Sequence, residues 1–128
     1  MPNVVGKTDL RIAIVGPCGS GKTTLADGLT ARHFHVREIT QEHSYVPSMW
    51  KLISRPHILI YLDASFETCN QRKQLDWDLG DHAEQIRRLA HARRHCDIYL
   101  ATDDLTPEEI IQSVLHSLKG LAQQHPLG

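Results

Sequence analysis

The chain has no long hydrophobic run, no excess of either charge and no even set of cysteines. Its polar start, Met1 to Leu10, leads into an apolar run, Ile12 to Val15, that is far too short for a secretory signal or a membrane span. A cytoplasmic location and no membrane partner are therefore expected. The formal net charge of -1 supplies no global field to gather nucleic acid, so partners must be recognised locally. Cys18, Cys69 and Cys96 are odd in number and lack pairwise ligand spacing, which argues against a disulfide framework and against a zinc site. Nine histidines are many for this length, yet no H-x-x-x-H spacing stands in a context that suggests a metal. There is no internal repeat, low-complexity segment or linker.

What is present suits one compact domain over residues 1–128, with 1–10 and 123–128 expected to fray. Arg11 to Val15 reads as a strand buried on both faces, stopped by Gly16. Thr23 to Arg32 reads as a helix with Leu25 and Leu29 on one face. Phe34 to Ile39 is rich in strand formers without clean alternation, which suggests a sheet edge. Val46, Met49, Trp50 and Ile53 predict a short helix, and His57 to Leu62 a second buried strand ending at Asp63. Ser65 is placed to cap a helix reaching Lys73, Leu75 to Gly80 reads as a loop, and Asp81 with Glu84 resembles a capping box. That box would open a helix with Ile86, Leu89, Ala90 and Cys96 inward. Ile98 to Ala101 is a third buried strand, and Thr106 and Pro107 open a last helix expected to stop at Gly120. Strands alternating with helices predict an α/β fold: a three-layer arrangement with a small, mostly parallel sheet covered on both faces.

Gly16-Pro17-Cys18-Gly19-Ser20-Gly21-Lys22-Thr23 matches G-x-x-x-x-G-K-[ST] at every fixed position, between a buried strand and a helix start. Gly16, Gly19, Ser20 and Gly21 let successive backbone N–H groups converge on phosphate oxygens, and the helix N-terminus adds partial positive charge. Lys22 is placed to reach the outer phosphates, Thr23 to ligate magnesium, and Thr24 to support an outer phosphate. The plainer reading is a glycine-rich turn that only joins strand to helix. The glycines do not fall in G-x-G-x-x-G order, and no N-K-x-D guanine signature follows. Cys18 reads most simply as a small residue at a variable position.

Magnesium at Thr23 calls for a carboxylate, and two compete: Asp63, at the end of the second buried strand, and Glu42, in Gln41-Glu42-His43-Ser44. For either, a solvated or capping acid is an equal alternative. Arg72 is the first choice to neutralise developing charge, against a solvated arginine at a helix end. Arg87, Arg88, Arg93 and Arg94 read as an exposed charged face, with Arg88 able to swing toward phosphate. Trp50 and Trp77 read as core or cover rather than stacking platforms.

The loop, with Ile60-Tyr61-Leu62-Asp63-Ala64-Ser65-Phe66-Glu67 and Arg72 downstream, resembles P-loop kinases of nucleosides, nucleotides and small metabolites, such as thymidylate, deoxynucleoside and shikimate kinases. The resemblance implies a P-loop NTPase fold that binds ATP and Mg2+ and transfers a phosphoryl group to a small-molecule acceptor. It implies that Glu42, in place of Asp63, is the base or metal organiser, that Arg72 is a lid arginine, and that Thr102 and Asp103 lie near the adenine. His43 departs from it, standing where arginine is usual. The chain is also shorter than such kinases and has no obvious monophosphate-binding insertion. A noncatalytic nucleotide-binding or regulatory module, or a partner-coupled NTPase, is the alternative, and a homo-oligomer is left open.

Overall fold

Ile12, Ala13, Ile14 and Val15 are almost wholly buried because their strand, β1 (Arg11–Val15), has a parallel neighbour on each side. In the computed structural model, which describes residues 10–73 and 78–124, β1 is followed by α1 (Lys22–Ala31), β2 (His35–Glu38) and a 3-10 turn (Gln41–His43). Then come α2 (Met49–Ser54), β3 (Ile58–Asp63), α3 (Phe66–Lys73), α4 (Leu79–Arg88), α5 (Ala90–His95), β4 (Ile98–Ala101) and α6 (Pro107–Gln124). The sheet order is β2-β1-β3-β4 and every pairing is parallel. It is the order with which flavodoxin-like doubly wound sheets begin.

Alternation along the strands divides the core. Ile12, Ile14, Ile58, Ile60, Leu62 and Ile98 face Leu25 and Leu29 of α1 and Ile110, Ile111, Val114 and Leu118 of α6. Ala13, Val15, Leu59 and Tyr61 face the other way, toward Ile39, Trp50, Leu89 and Ala92. Three layers result, as the alternation of elements predicts. The sheet is parallel throughout and covered by helices on both faces, an α/β arrangement.

Several local expectations change. Val46 and Ile53 are exposed and α2 begins only at Met49, so Trp50, with the partly buried Met49 beside it, carries that helix into the core. The capping box of α4 is built on Asp78, whose carboxylate accepts the Asp81 amide while the Asp81 carboxylate accepts the Asp78 amide. Asp81 is thus the third helical residue, not the cap. Of the residues expected inward, Leu89 is buried between α4 and α5, and Ala90 is exposed. Gly120 does not end α6, which runs to Gln124. A helical glycine costs about 1 kcal/mol, and packing Leu118 and Leu121 on either side of it into the core outweighs that. The Thr106 cap holds as expected: its hydroxyl accepts the Glu109 amide and its own amide donates to the Glu109 carboxylate. Half of the expected Leu75–Gly80 loop, Trp77 included, lies outside the described residues; of the rest, Asp78 caps α4 and Leu79 and Gly80 are its first residues, so the loop ends earlier than expected.

Candidate functional site

Past the end of β1 the chain turns under the C-terminal edge of the sheet, where parallel α/β folds bind ligands. Gly16 and Gly19 have φ of 155° and 87°. A Cβ at Gly16 would stand 2.3 Å from the Leu62 carbonyl oxygen, and one at Gly19 would stand 2.8 Å from that of Cys69. Only glycine lets the loop pass this close to β3 and α3. Within the loop the Ser20 amide donates to Pro17 O at 3.1 Å, and the Cys18 amide to Gln85 Oε1 at 3.0 Å. Helix α1 then starts behind Gly21 with no side-chain cap. Among the described residues no acceptor takes the amides of Gly19, Gly21, Lys22, Thr23 or Thr24. The start of α1 therefore offers free donors and the positive end of the helix dipole.

Lys22 is 6% exposed, and its ammonium donates to Gly16 O at 2.7 Å, Pro17 O at 3.2 Å and Glu42 Oε2 at 2.9 Å. Glu42 is 2% exposed and its Oε1 has no hydrogen-bond partner among the described residues. The neighbouring Thr23 points outward, and its hydroxyl donates to the Glu38 carboxylate at 2.9 and 3.0 Å. Cys18, Lys22, Thr23, Glu38, Glu42 and Arg72 line one cleft of about 430 Å³.

The expected site residues separate into three groups. Gly19, Gly21, Lys22, Thr23, Thr24, Glu42 and Arg72 line the cleft. Gly16 and Ser20 lie beneath it, Gly16 as an acceptor for Lys22 and Ser20 as an acceptor for Thr102 Oγ1 at 2.8 Å. Asp63, Thr102 and Asp103 are not part of its lining. Asp63 shares the sheet face of Leu59 and Tyr61 and accepts the Tyr99 hydroxyl at 2.5 Å. That bond, more than burial, raises the Tyr99 pKa; burial first and Asp63 second raise that of Tyr61. Arg72 donates to Gly19 O at 3.1 Å, Thr102 Oγ1 at 3.0 Å and Thr102 O, so it ties the loop to the end of β4. Asp103 accepts the Ser65 amide at 2.8 Å at the start of α3. A hydrogen bond from Thr68, with Ser65 adding to it, holds its carboxyl below the usual range.

Glu38, Thr40 and Gln85 were missed. For Glu38 a signal existed: it is the acid ending the strand after α1, and pairing of β1 with β2 sets it opposite Ile14 at the sheet's C-terminal edge. Arg88 does lean inward, toward Glu42 O at 3.5 Å, while pairing with Glu84 at 3.0 Å and covering the Tyr45 ring. His91 and His95 do stand at H-x-x-x-H spacing on α5. Nδ1 of His91, however, accepts the Trp50 indole N–H at 3.1 Å, so the pair serves packing.

No family model matches the chain, and no curated protein does. A solved structure that matches is the solution structure of the E. coli RcsC C-terminus (residues 700-949), containing a linker region and phosphoreceiver domain. It is 15% identical, with a TM-score of 0.49, and the match covers 99% of this chain and 53% of that one. No family model or curated protein supports the expected P-loop kinase family, and the matched structure is a phosphoreceiver-bearing chain, so that expectation is corrected. With the family go the phosphotransferase activity, its nucleotide-module and NTPase alternatives, and ATP as the named ligand. At this level of likeness no function is taken from the matched structure either. Among the described residues, no helix is long and apolar enough to cross a membrane.

Proposed function

We propose that the protein binds a phosphate-bearing anion, together with a magnesium ion, in the cleft at the start of α1. The observation that carries this reading is the set of free amides at Gly19 and from Gly21 to Thr24, standing beside the buried Lys22 ammonium. Backbone donors held by a glycine-bent loop need no rearrangement to meet an oxyanion, and the helix end favours its charge. Lys22 is restrained by two carbonyls and Glu42, so its charge sits at the floor of the cleft without wandering.

The magnesium half of the proposal rests on the Thr23 hydroxyl and the Glu38 carboxylate. These are hard oxygen donors already within 3.0 Å of each other, the kind this ion takes alongside ligand phosphates and waters. Glu42, committed to Lys22, is the floor's counter-charge, and Arg72 holds the loop's shape through Gly19.

Calorimetric titration with inorganic phosphate, pyrophosphate and tripolyphosphate, with and without magnesium, tests the reading. Pyrophosphate or tripolyphosphate should bind saturably and more tightly with the metal. To reach the anion the Lys22 ammonium gives up its longest bond, to Pro17 O at 3.2 Å, so the paired substitution Lys22→Met with Glu42→Leu should weaken binding by roughly 10- to 100-fold, the worth of one charge-assisted hydrogen bond. Absence of saturable binding by the wild-type chain to any of the three anions would sink the proposal.

A further inference from the structure

The fold brings together three side chains that spacing kept apart: Cys18 from the loop, and Glu42 and His43 from the 3-10 turn. Cys18 Sγ lies 3.4 Å from His43 Nε2 and 3.6 Å from Glu42 Oε2, and the last two are 3.9 Å apart. Zinc bonds of about 2.3 Å to sulfur and about 2.0–2.2 Å to nitrogen and oxygen, set at tetrahedral angles, give ligand-to-ligand edges of about 3.4–3.6 Å. The three atoms already stand close to three corners of that tetrahedron.

From this geometry we infer that Cys18, Glu42 and His43 form a zinc site whose fourth position opens into the cleft. A thiolate, an imidazole and a carboxylate suit zinc and do not suit magnesium, which takes oxygen donors. Thiolate and carboxylate together offset most of the positive charge of the ion and the Lys22 ammonium, and the single charge left over favours an anionic fourth ligand from the cleft.

Two further observations point to a ligand. Glu42 is 2% exposed, yet its Oε1 finds no partner among the described residues. Oε2, the oxygen nearest Cys18 and His43, is the one Lys22 holds, so the carboxylate can give Oε2 to a metal and take the Lys22 bond on Oε1. Buried Gln85 braces Cys18 on both sides: Oε1 accepts the Cys18 amide at 3.0 Å, and Nε2 donates to Sγ at 3.5 Å. An amide donor on the sulfur is an outer-shell contact that orients a thiolate ligand. His43 stands half exposed at the cleft wall, with its Nε2 toward the cluster.

This site does not depend on anion binding, and the test is run with no phosphate present. The reduced full chain is titrated with Co2+, whose bond to a thiolate gives a charge-transfer absorption, and Zn2+ is then added to bleach it. One equivalent should bind, Cys18→Ser should abolish the absorption, and Cys96→Ser should leave it intact. His43→Ala, at an exposed position where folding is preserved, should weaken affinity at least about tenfold. Magnesium in excess should not compete. No thiolate absorption, an absorption that survives Cys18→Ser, or unchanged affinity in His43→Ala would overturn the site. If Cys18→Ser loses its circular dichroism, the His43→Ala affinity decides. A negative result here leaves the pyrophosphate titration standing, and the reverse is equally true.

Discussion

Lys22 and Thr23 are adjacent in the chain, and each meets an acid, yet the two corners of the cleft differ in kind. Lys22 and Glu42 are 6% and 2% exposed, and the Lys22 ammonium donates to loop carbonyls as well as to Glu42, whereas Thr23 and Glu38 meet in solvent. A buried ion pair is expensive to form and more expensive to halve, because the surviving charge has no water to turn to. An exposed hydroxyl and carboxylate cost almost nothing to separate and can be lent to a ligand. The buried corner thus fixes the shape of the cleft, and the open corner is free to exchange partners.

Breaking the buried corner should have the largest effect. Lys22→Met or Glu42→Gln alone should cost about 3–5 kcal/mol in denaturant unfolding, while Lys22→Met with Glu42→Leu should recover most of the loss. If each single change costs less than the pair together, the corner is not a coupled unit.

Thr102→Val is next. It removes the hydroxyl that donates to Ser20 O and receives Arg72, and should cost about 1–3 kcal/mol while leaving the core packing intact. Equal urea midpoints for variant and wild type would show that the loop does not need its tie to β4.

Asp103→Asn probes the region behind the loop through pH. The carboxyl's pKa is lowered in the folded state, so its contribution is present above the ordinary carboxylate range and fades as pH falls through the lowered value. The deficit of the variant should be largest near neutrality and shrink in acid; a deficit that grows in acid would contradict the hydrogen bond from Thr68. The smallest stability effect is expected at the open corner, where Glu38→Gln should shift stability by no more than about 0.5 kcal/mol. The same change should remove the magnesium dependence of pyrophosphate binding, which titration with and without the metal reads directly.

The strands β1 and β3 and the glycine loop were legible because their signals are local: a continuous apolar run, a stop, and fixed glycine spacing. The Thr106 cap was legible for the same reason. The choice of acid beside Thr23 was not, since it depends on β2 lying against β1 in the register that pairs Ile14 with Glu38. Sequence order favoured Asp63 and Glu42, and the fold gives one to Tyr99 and the other to Lys22. Gly120 alone looks like a helix stop, but Leu118 and Leu121 on either side of it pack into the core and carry α6 through it. The grouping of Cys18 with Glu42 and His43 crosses more than twenty residues and two elements, and no spacing rule announces it. The family resemblance rested on one specific loop and several short, degenerate matches, and those matches did not survive comparison.

In the proposed complex the amides opening α1 receive an oxyanion. Backbone amide resonances of the isotope-labelled protein, followed during a pyrophosphate titration with magnesium, test it residue by residue. Saturable shifts concentrated at Gly19 and from Gly21 to Thr24 are predicted. Shifts centred elsewhere, or none at these amides when pyrophosphate is in excess, would contradict it.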